Sequence, residues 1–224
     1  LHKNFIDALK LFHSLGIQIG LNSNGLALTK TLTDAISEYC AYFRISLDAG
    51  DADLYRQTHG MERKSFDTVV NHIRLMAETK KMKNSSLSFG TGFLTGQYTI
   101  QQMEPFVKLS KECGADYAQF RPFQGDWTPI DHTYWRLKEQ YEDERFKVLA
   151  SMQKYNQFIQ GGERRYDRCR GMFFSTVITA NARVYACLHH RQDEQYLIGD
   201  MRKGDTLEQI WNSYRKWKVY EDID

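Results

Sequence analysis

The sequence predicts an α/β chain, with parallel strands alternating with helices and a small cysteine-bearing hairpin and helix at the end. Three observations predict it. Between Ile17 and Phe120, four short apolar or alternating runs recur, each followed by a stretch with helical spacing. Most of these runs end on turn-forming residues: Asn22-Ser-Asn-Gly25, Asp48-Ala-Gly50 and Pro122. Beyond Arg168 that rhythm stops. There Cys169 and Cys187 bracket a strand, a tight turn and a second strand.

Each element has a local reason. Phe5, Ala8, Leu9 and Phe12 recur at helical spacing, and Gly16 is placed to stop that helix. Ile17–Leu21 alternates as a strand and ends in the Asn-Gly turn. A helix is expected from Leu32 to Tyr39, and a second strand over Tyr42–Leu47. A short helix starts at Asp51. A longer one starts at Ser65, with Phe66, Val69, Val70, Ile73 and Met76 on its apolar side. The third strand runs from Leu87 to about Leu94 and contains Gly90 and Gly92. Thr99 and Gln102 have capping-box spacing for a helix to Cys113, and Gly114 ends it. Asp116–Phe120 is the fourth strand. Positions 134–158 are expected to be helical, with Gly161-Gly162 as a hinge. Four such strands cannot close a barrel; they form an arc of one or a small open sheet.

Bulk properties narrow the function classes. A chain of 224 residues can bury a real core. A net charge of +2 argues for neither nucleic acid nor an anionic membrane. No apolar run approaches the ~20 residues of a membrane span, and the first residues do not form a signal-peptide pattern. Four cysteines do not make a secreted disulfide scaffold, so a reducing, cytoplasmic setting is expected.

The stretch from Cys169 to Cys187, then Leu197-Ile-Gly-Asp, then Thr206-Leu-Glu-Gln-Ile-Trp211, resembles the auxiliary iron–sulfur region of SPASM or twitch type. That region closes many radical S-adenosylmethionine (SAM) enzymes. The resemblance extends upstream. Asn22-Ser-Asn-Gly25 resembles the family's Thr-Asn-Gly after strand three. Arg44-Ile-Ser-Leu-Asp48 is similar to its Val-Ser-Leu-Asp strand four, Tyr55-Arg56 to a pair that follows, and Phe120-Arg-Pro-Phe123 to strand six. The family's Gly-x4-Cys is here Ala182-x4-Cys187. Asn181 is expected to take the left-handed position in that turn, because alanine tolerates positive φ poorly.

The resemblance implies the arc of a partial (β/α)6 TIM-like barrel over 1–130, a helical connection over 131–165 and a truncated auxiliary domain over 166–224. It implies SAM and 4Fe-4S clusters as cofactors. The cysteine triad of the radical-generating cluster would lie outside this chain, which has no Cys-x3-Cys-x2-Cys spacing. The chain is therefore expected to begin inside a larger domain and to be inactive alone. Partners implied are a small-molecule or peptide substrate and an electron donor such as flavodoxin or ferredoxin.

The candidate site residues follow from their chemistry. Cys169 and Cys187 are candidate cluster ligands, since such clusters are held by thiolates. Zinc held by Cys169, Cys187 and His189 is the rival, as is a cluster-free barrel enzyme. Ser46 and Asp48 stand at the carboxyl end of a parallel strand, where ligands of such arrays gather; Asp48 equally suits a helix cap. Arg56 has the planar fork that pairs with a carboxylate. Asn24 suits SAM or substrate as well as turn chemistry, and Arg121 lines the pocket or ends its strand. Cys40 and Cys113 are expected in the core, and His13, His59 and His72 on the surface.

Overall fold

The computed structural model describes residues 2–126, 128–152, 154–155 and 169–222. The chain divides into two compact units, residues 1–162 and 163–224.

In the first unit the elements run α1 (Phe5–Ser14), β1 (Gly20–Ser23), α2 (Lys30–Tyr39), β2 (Tyr42–Ser46), α3 (Ala52–His59), α4 (Arg63–Met82), β3 (Ser88–Thr95), α5 (Met103–Glu112), β4 (Tyr117–Pro122), α6 (Asp131–Tyr141) and β5 (Lys147–Ala150). The five strands form one parallel sheet in the order β1-β2-β3-β4-β5. Every strand pairs with its successor. An order without reversal is that of a barrel arc, whereas a doubly wound sheet reverses at a switch point.

Period-two alternation sends the two faces of the sheet to different surroundings. Phe43, Ile45, Leu47, Phe89, Phe93, Ala118, Phe120 and Val148 are buried in one apolar cluster. The helices complete that cluster with Val69, Ile73 and Met76 of α4, Phe106 and Val107 of α5, and Leu137 of α6. The alternate positions are mostly polar or glycine. Register aligns Asn22 with Arg44 and Gly90, then Gly90 with Tyr117, and Ser46 with Gly92 and Gln119. The two glycines make room for their neighbours. A Cβ on Gly90 would overlap the Tyr117 ring, and one on Gly92 would come within 3.2 Å of the Arg44 side chain.

Several sequence expectations are corrected. The described residues of the first unit hold five strands, not four: the helix expected over 134–158 stops at Tyr141, and β5 follows. Asp143 causes the break, because its Oδ1 accepts the N–H groups of Arg145 and Phe146 and turns the chain. Phe146 and Val148 then bury on one side while Lys147 and Leu149 stay exposed. Position 153 and the segment 156–168, with the Gly161-Gly162 hinge, lie outside the described residues. The first strand starts at Gly20 rather than Ile17, whose side chain is exposed. Thr99 and Gln102 form no capping box. Thr99 Oγ1 accepts from Gly96 N–H, and Gln102 Nε2 donates to Asp51 Oδ2. His72 is half-buried, with Nδ1 2.7 Å from the Gly25 carbonyl oxygen, so it ties α4 to the Asn-Gly turn.

Other expectations hold. Gly16, Gly25 and Gly114 have positive φ where turns were expected. Asp51 caps α3 by accepting from Asp53 and Leu54 N–H. Cys40 and Cys113 are core residues.

The second unit holds an antiparallel sheet of β6 (Val177–Ile178), β7 (Arg183–Tyr185) and β8 (Leu197–Asp200), then α7 (Leu207–Trp211) and α8 (Tyr214–Asp222). Met172, Val184, Ala186, Ile198, Ile210 and Val219 form its own small core. Thr206 and Gln209 form a full capping box on α7. In the hairpin, Ala182 itself takes the left-handed position, with φ of 61°. Asn181 is engaged otherwise, accepting from Thr179 Oγ1, while Ala182 N–H donates to Thr179 O. Closing the turn offsets the steric cost at alanine.

Candidate functional site

The carboxyl ends of β2, β3 and β4 frame a cavity of about 560 Å³. Its wall includes Asp48 after β2, Leu94 and Tyr98 on and after β3, Phe123 and Asp126 after β4, and His59 of α3. Asp126 ties the loops together: it accepts from Gln97 N–H and from Thr128.

Asp48 is the most constrained of the expected site residues. Its φ is 51°, a region Asp tolerates better than most residues. Its Oδ1 accepts from Leu94 N–H at 2.7 Å, and its Oδ2 faces His59 Nε2 at 4.0 Å. The His59 ring stacks on Tyr55 with centroids 4.2 Å apart. Thr58 Oγ1 holds the other ring nitrogen at 2.9 Å. Asp48 therefore clips β2 to β3 and does not cap α3; that place belongs to Asp51.

Burial raises the Asp48 pKa, and the hydrogen bond from Leu94 and the charges of His59 and Arg44 only partly oppose it. The unfolded chain thus loses this proton at lower pH than the native one. Stability falls as pH rises from the ordinary carboxylate range through the raised native value, and the penalty stays above it. Asp48→Asn keeps an acceptor for Leu94 and suits positive φ. It is expected to raise the urea midpoint at pH 7 and to flatten its pH dependence across that window. A lower midpoint at pH 7 would contradict this account.

The other expected residues lie nearby but not all together. Ser46 is half-buried on the polar face of the sheet. Asn24 is exposed just past β1, and its Oδ1 accepts from Leu26 N–H. Arg56 is exposed on α3. Arg121 is half-buried on the polar face in register with Leu94. Of these expected residues, only Asp48 lines the cavity. Arg44, Gln119 and Tyr117 were missed by sequence reasoning. Their signal was available, because Arg44 is in phase with Ser46, and Tyr117 and Gln119 with Arg121.

The cysteines fall into two classes. Cys40 and Cys113 are buried, and burial pushes the Cys40 thiol up to about 11. Cys169 is exposed and Cys187 half-buried, both as free thiols in the second unit. Accessible thiols are the right donors for an iron–sulfur cluster. Among the described residues no three His, Cys, Asp or Glu side chains gather as a metal set, so the zinc trio of Cys169, Cys187 and His189 is not assembled. His190 is instead stacked on Tyr196.

Residues 169–221 match the SPASM family, an iron–sulfur cluster-binding domain. The match begins at Cys169 and includes Cys187. The whole chain also superposes on SuiB of Streptococcus suis with a TM-score of 0.70 at 12% identity, covering 98% of this chain and 55% of SuiB. The chain shares the fold of SuiB, and its last quarter matches the SPASM family. Two further structures share that fold. SuiB bound to its precursor peptide SuiA gives a TM-score of 0.72 at 11% identity, over 98% of this chain and 53% of that one. The protein anSMEcpe with bound AdoMet gives 0.66 at 14% identity, over 99% and 62%. The chain thus spans little more than half the length of these proteins. No curated protein matches the sequence. No helix among the described residues is long and apolar enough to cross a membrane.

Proposed function

We propose that this chain is the SAM-binding and auxiliary-cluster part of a radical SAM enzyme that modifies a peptide. The observation that carries the proposal is the SPASM match at Cys169 and Cys187 combined with a five-stranded parallel arc of the SuiB fold. SuiB was solved with its precursor peptide SuiA, and anSMEcpe with the Kp18Cys peptide. That favours a peptide over a small molecule as substrate.

The residues present fit the cofactors. Cys169 and Cys187 are the reachable thiols for the auxiliary 4Fe-4S cluster. Ser46 and Asn24 offer polar groups on one side of the arc for SAM, and Arg56 adds a charge on the following helix. With SAM and the radical-generating cluster bound, one-electron cleavage of the SAM carbon–sulfur bond would supply a radical able to take hydrogen from a C–H bond. The chain's own part is placement and exclusion of water. Asp48 and Asp126 brace the loops at the carboxyl ends, and Leu94, Tyr98 and Phe123 give the cavity an apolar wall. The sulfur donors of the radical-generating cluster come from outside these residues, and a flavodoxin or ferredoxin in the cytoplasm supplies the electron.

Anaerobic reconstitution with iron and sulfide tests this. The chain is expected to take up iron and sulfide with a brown chromophore and to bind SAM, yet to release no 5′-deoxyadenosine under reduction. Failure to take up iron, or uptake of zinc in its place, would overturn the proposal.

A further inference from the structure

The polar face of the sheet holds two guanidinium groups that form no ion pair among the described residues. Arg44 stands mid-strand in β2 and is only 6% exposed. Its Nη1 donates to Gln119 Oε1 across β3, and its buried Nε has no hydrogen-bond partner. Arg121, near the end of β4, also has a buried and unpartnered Nε. Burial lowers the Arg121 pKa first, and the neighbouring Arg44 charge lowers it further. Arginine nevertheless keeps its proton in proteins, so neither charge is relieved by neutralisation.

No acidic residue occupies a strand position on this face among the described residues. The register places Asn22, Ser46, Gly90, Gly92, Tyr117 and Gln119 around the pair. Asp48, beyond the end of β2, is near enough for the Arg44 charge to act on it, but its oxygens already accept from Leu94 and face His59. Two like charges drawn out of water need a counter-charge. The Nε–H edge of a guanidinium is one of the donors a carboxylate takes in fork-to-fork pairing. The Tyr117 hydroxyl, buried on the same face beside Tyr42, is a further source of a donor hydrogen.

We propose that Arg44 and Arg121 clamp a side-chain carboxylate of the substrate, so that the peptide modified carries an acidic residue. This rests on the peptide-modifying reading above and narrows its substrate class. SAM also has a carboxylate, so the test must separate the two sources.

The test uses the full chain, ¹⁵N-labelled, and follows the Nε–H resonances of Arg44 and Arg121, assigned with Arg44→Lys and Arg121→Lys. The probes are an end-capped peptide with one Glu, its Gln counterpart, and SAM alone. The Glu peptide is expected to move both resonances saturably, and the Gln peptide to leave them in place. Arg121→Gln, at a half-exposed position, is expected to weaken the Glu peptide at least about tenfold, in keeping with the loss of a charge-assisted pair. Equal response to both peptides, response to SAM alone, or no response in a folded chain would each overturn the proposal. These resonances report the anion site whether or not the chain takes up iron, so the two proposals fail separately.

Discussion

Cys187→Ala is expected to strip the reconstituted chain of most of its iron. Losing even a group that only hydrogen-bonds a ligand costs about 10–100-fold in metal affinity, and losing a thiolate ligand costs no less. Cys187 is the sharper target of the two accessible cysteines. It follows β7 directly, where Tyr185 and Ala186 are buried and Ala186 N–H donates to the Tyr196 carbonyl. Its backbone is therefore held in place with or without metal, so the variant removes a sulfur and leaves the hairpin intact. Cys40→Ala is the control. Cys40 packs in the core of the first unit, and with its pKa raised to about 11 it is almost wholly thiol at pH 7. Iron per chain, measured after reconstitution and desalting, should collapse for Cys187→Ala and hold for Cys40→Ala. Equal iron in both variants would remove Cys187 from the ligand set.

Phe120→Ala should produce the largest loss of stability. The ring is fully buried and meets Phe93 edge-on at 5.9 Å and Phe106 at 5.8 Å, while those two rings lie 4.8 Å apart. The triad joins β3, β4 and α5 on the apolar side of the sheet. Deleting a buried Phe side chain costs about 3–5 kcal/mol, because the transfer loss and the cavity add. Whole domains hold only about 5–15 kcal/mol, so much of the native margin goes. A urea titration followed by circular dichroism would show the midpoint falling. A loss below about 1 kcal/mol would mean that the site collapses around the gap, contrary to close packing. Gln119 and Arg121 flank Phe120 in sequence and point to the polar face, so loosening the ring should also loosen the arginine pair.

How much of this was legible beforehand depends on how local the cause is. β2, β3 and β4 announce themselves through alternation and bounding turns, and α4 through a clean apolar stripe whose five named residues all bury. β5 was hidden. It has only four residues, follows a helix without Gly or Pro, and is set up by an aspartate side chain that turns the chain. The capping box at Thr99 had the right residues, but both side chains found other partners, one of them Asp51 in a distant part of the chain. Ala182 overrode its own preference because the hairpin hydrogen bonds require that conformation.

The site divides the same way. Ser46, Asp48, Arg121 and the two accessible cysteines stand out by residue type and position along the chain. Arg44 shares the phase of Ser46, but nothing in Tyr42-Phe-Arg-Ile-Ser says what lies opposite it. Its importance comes from Gly92 beneath it, Gln119 across the sheet and Arg121 beside that. Sequence by itself determined the strand–helix alternation, the turns and the cysteine hairpin, because periodicity and turn chemistry act over a few neighbouring residues. Tertiary structure alone decided that Asp48 is a buried clip and that two arginines share a face without an ion-pair partner among the described residues. Burial and register are set by residues distant along the chain, and both the raised carboxylate and the unpaired guanidinium groups are consequences of what surrounds them.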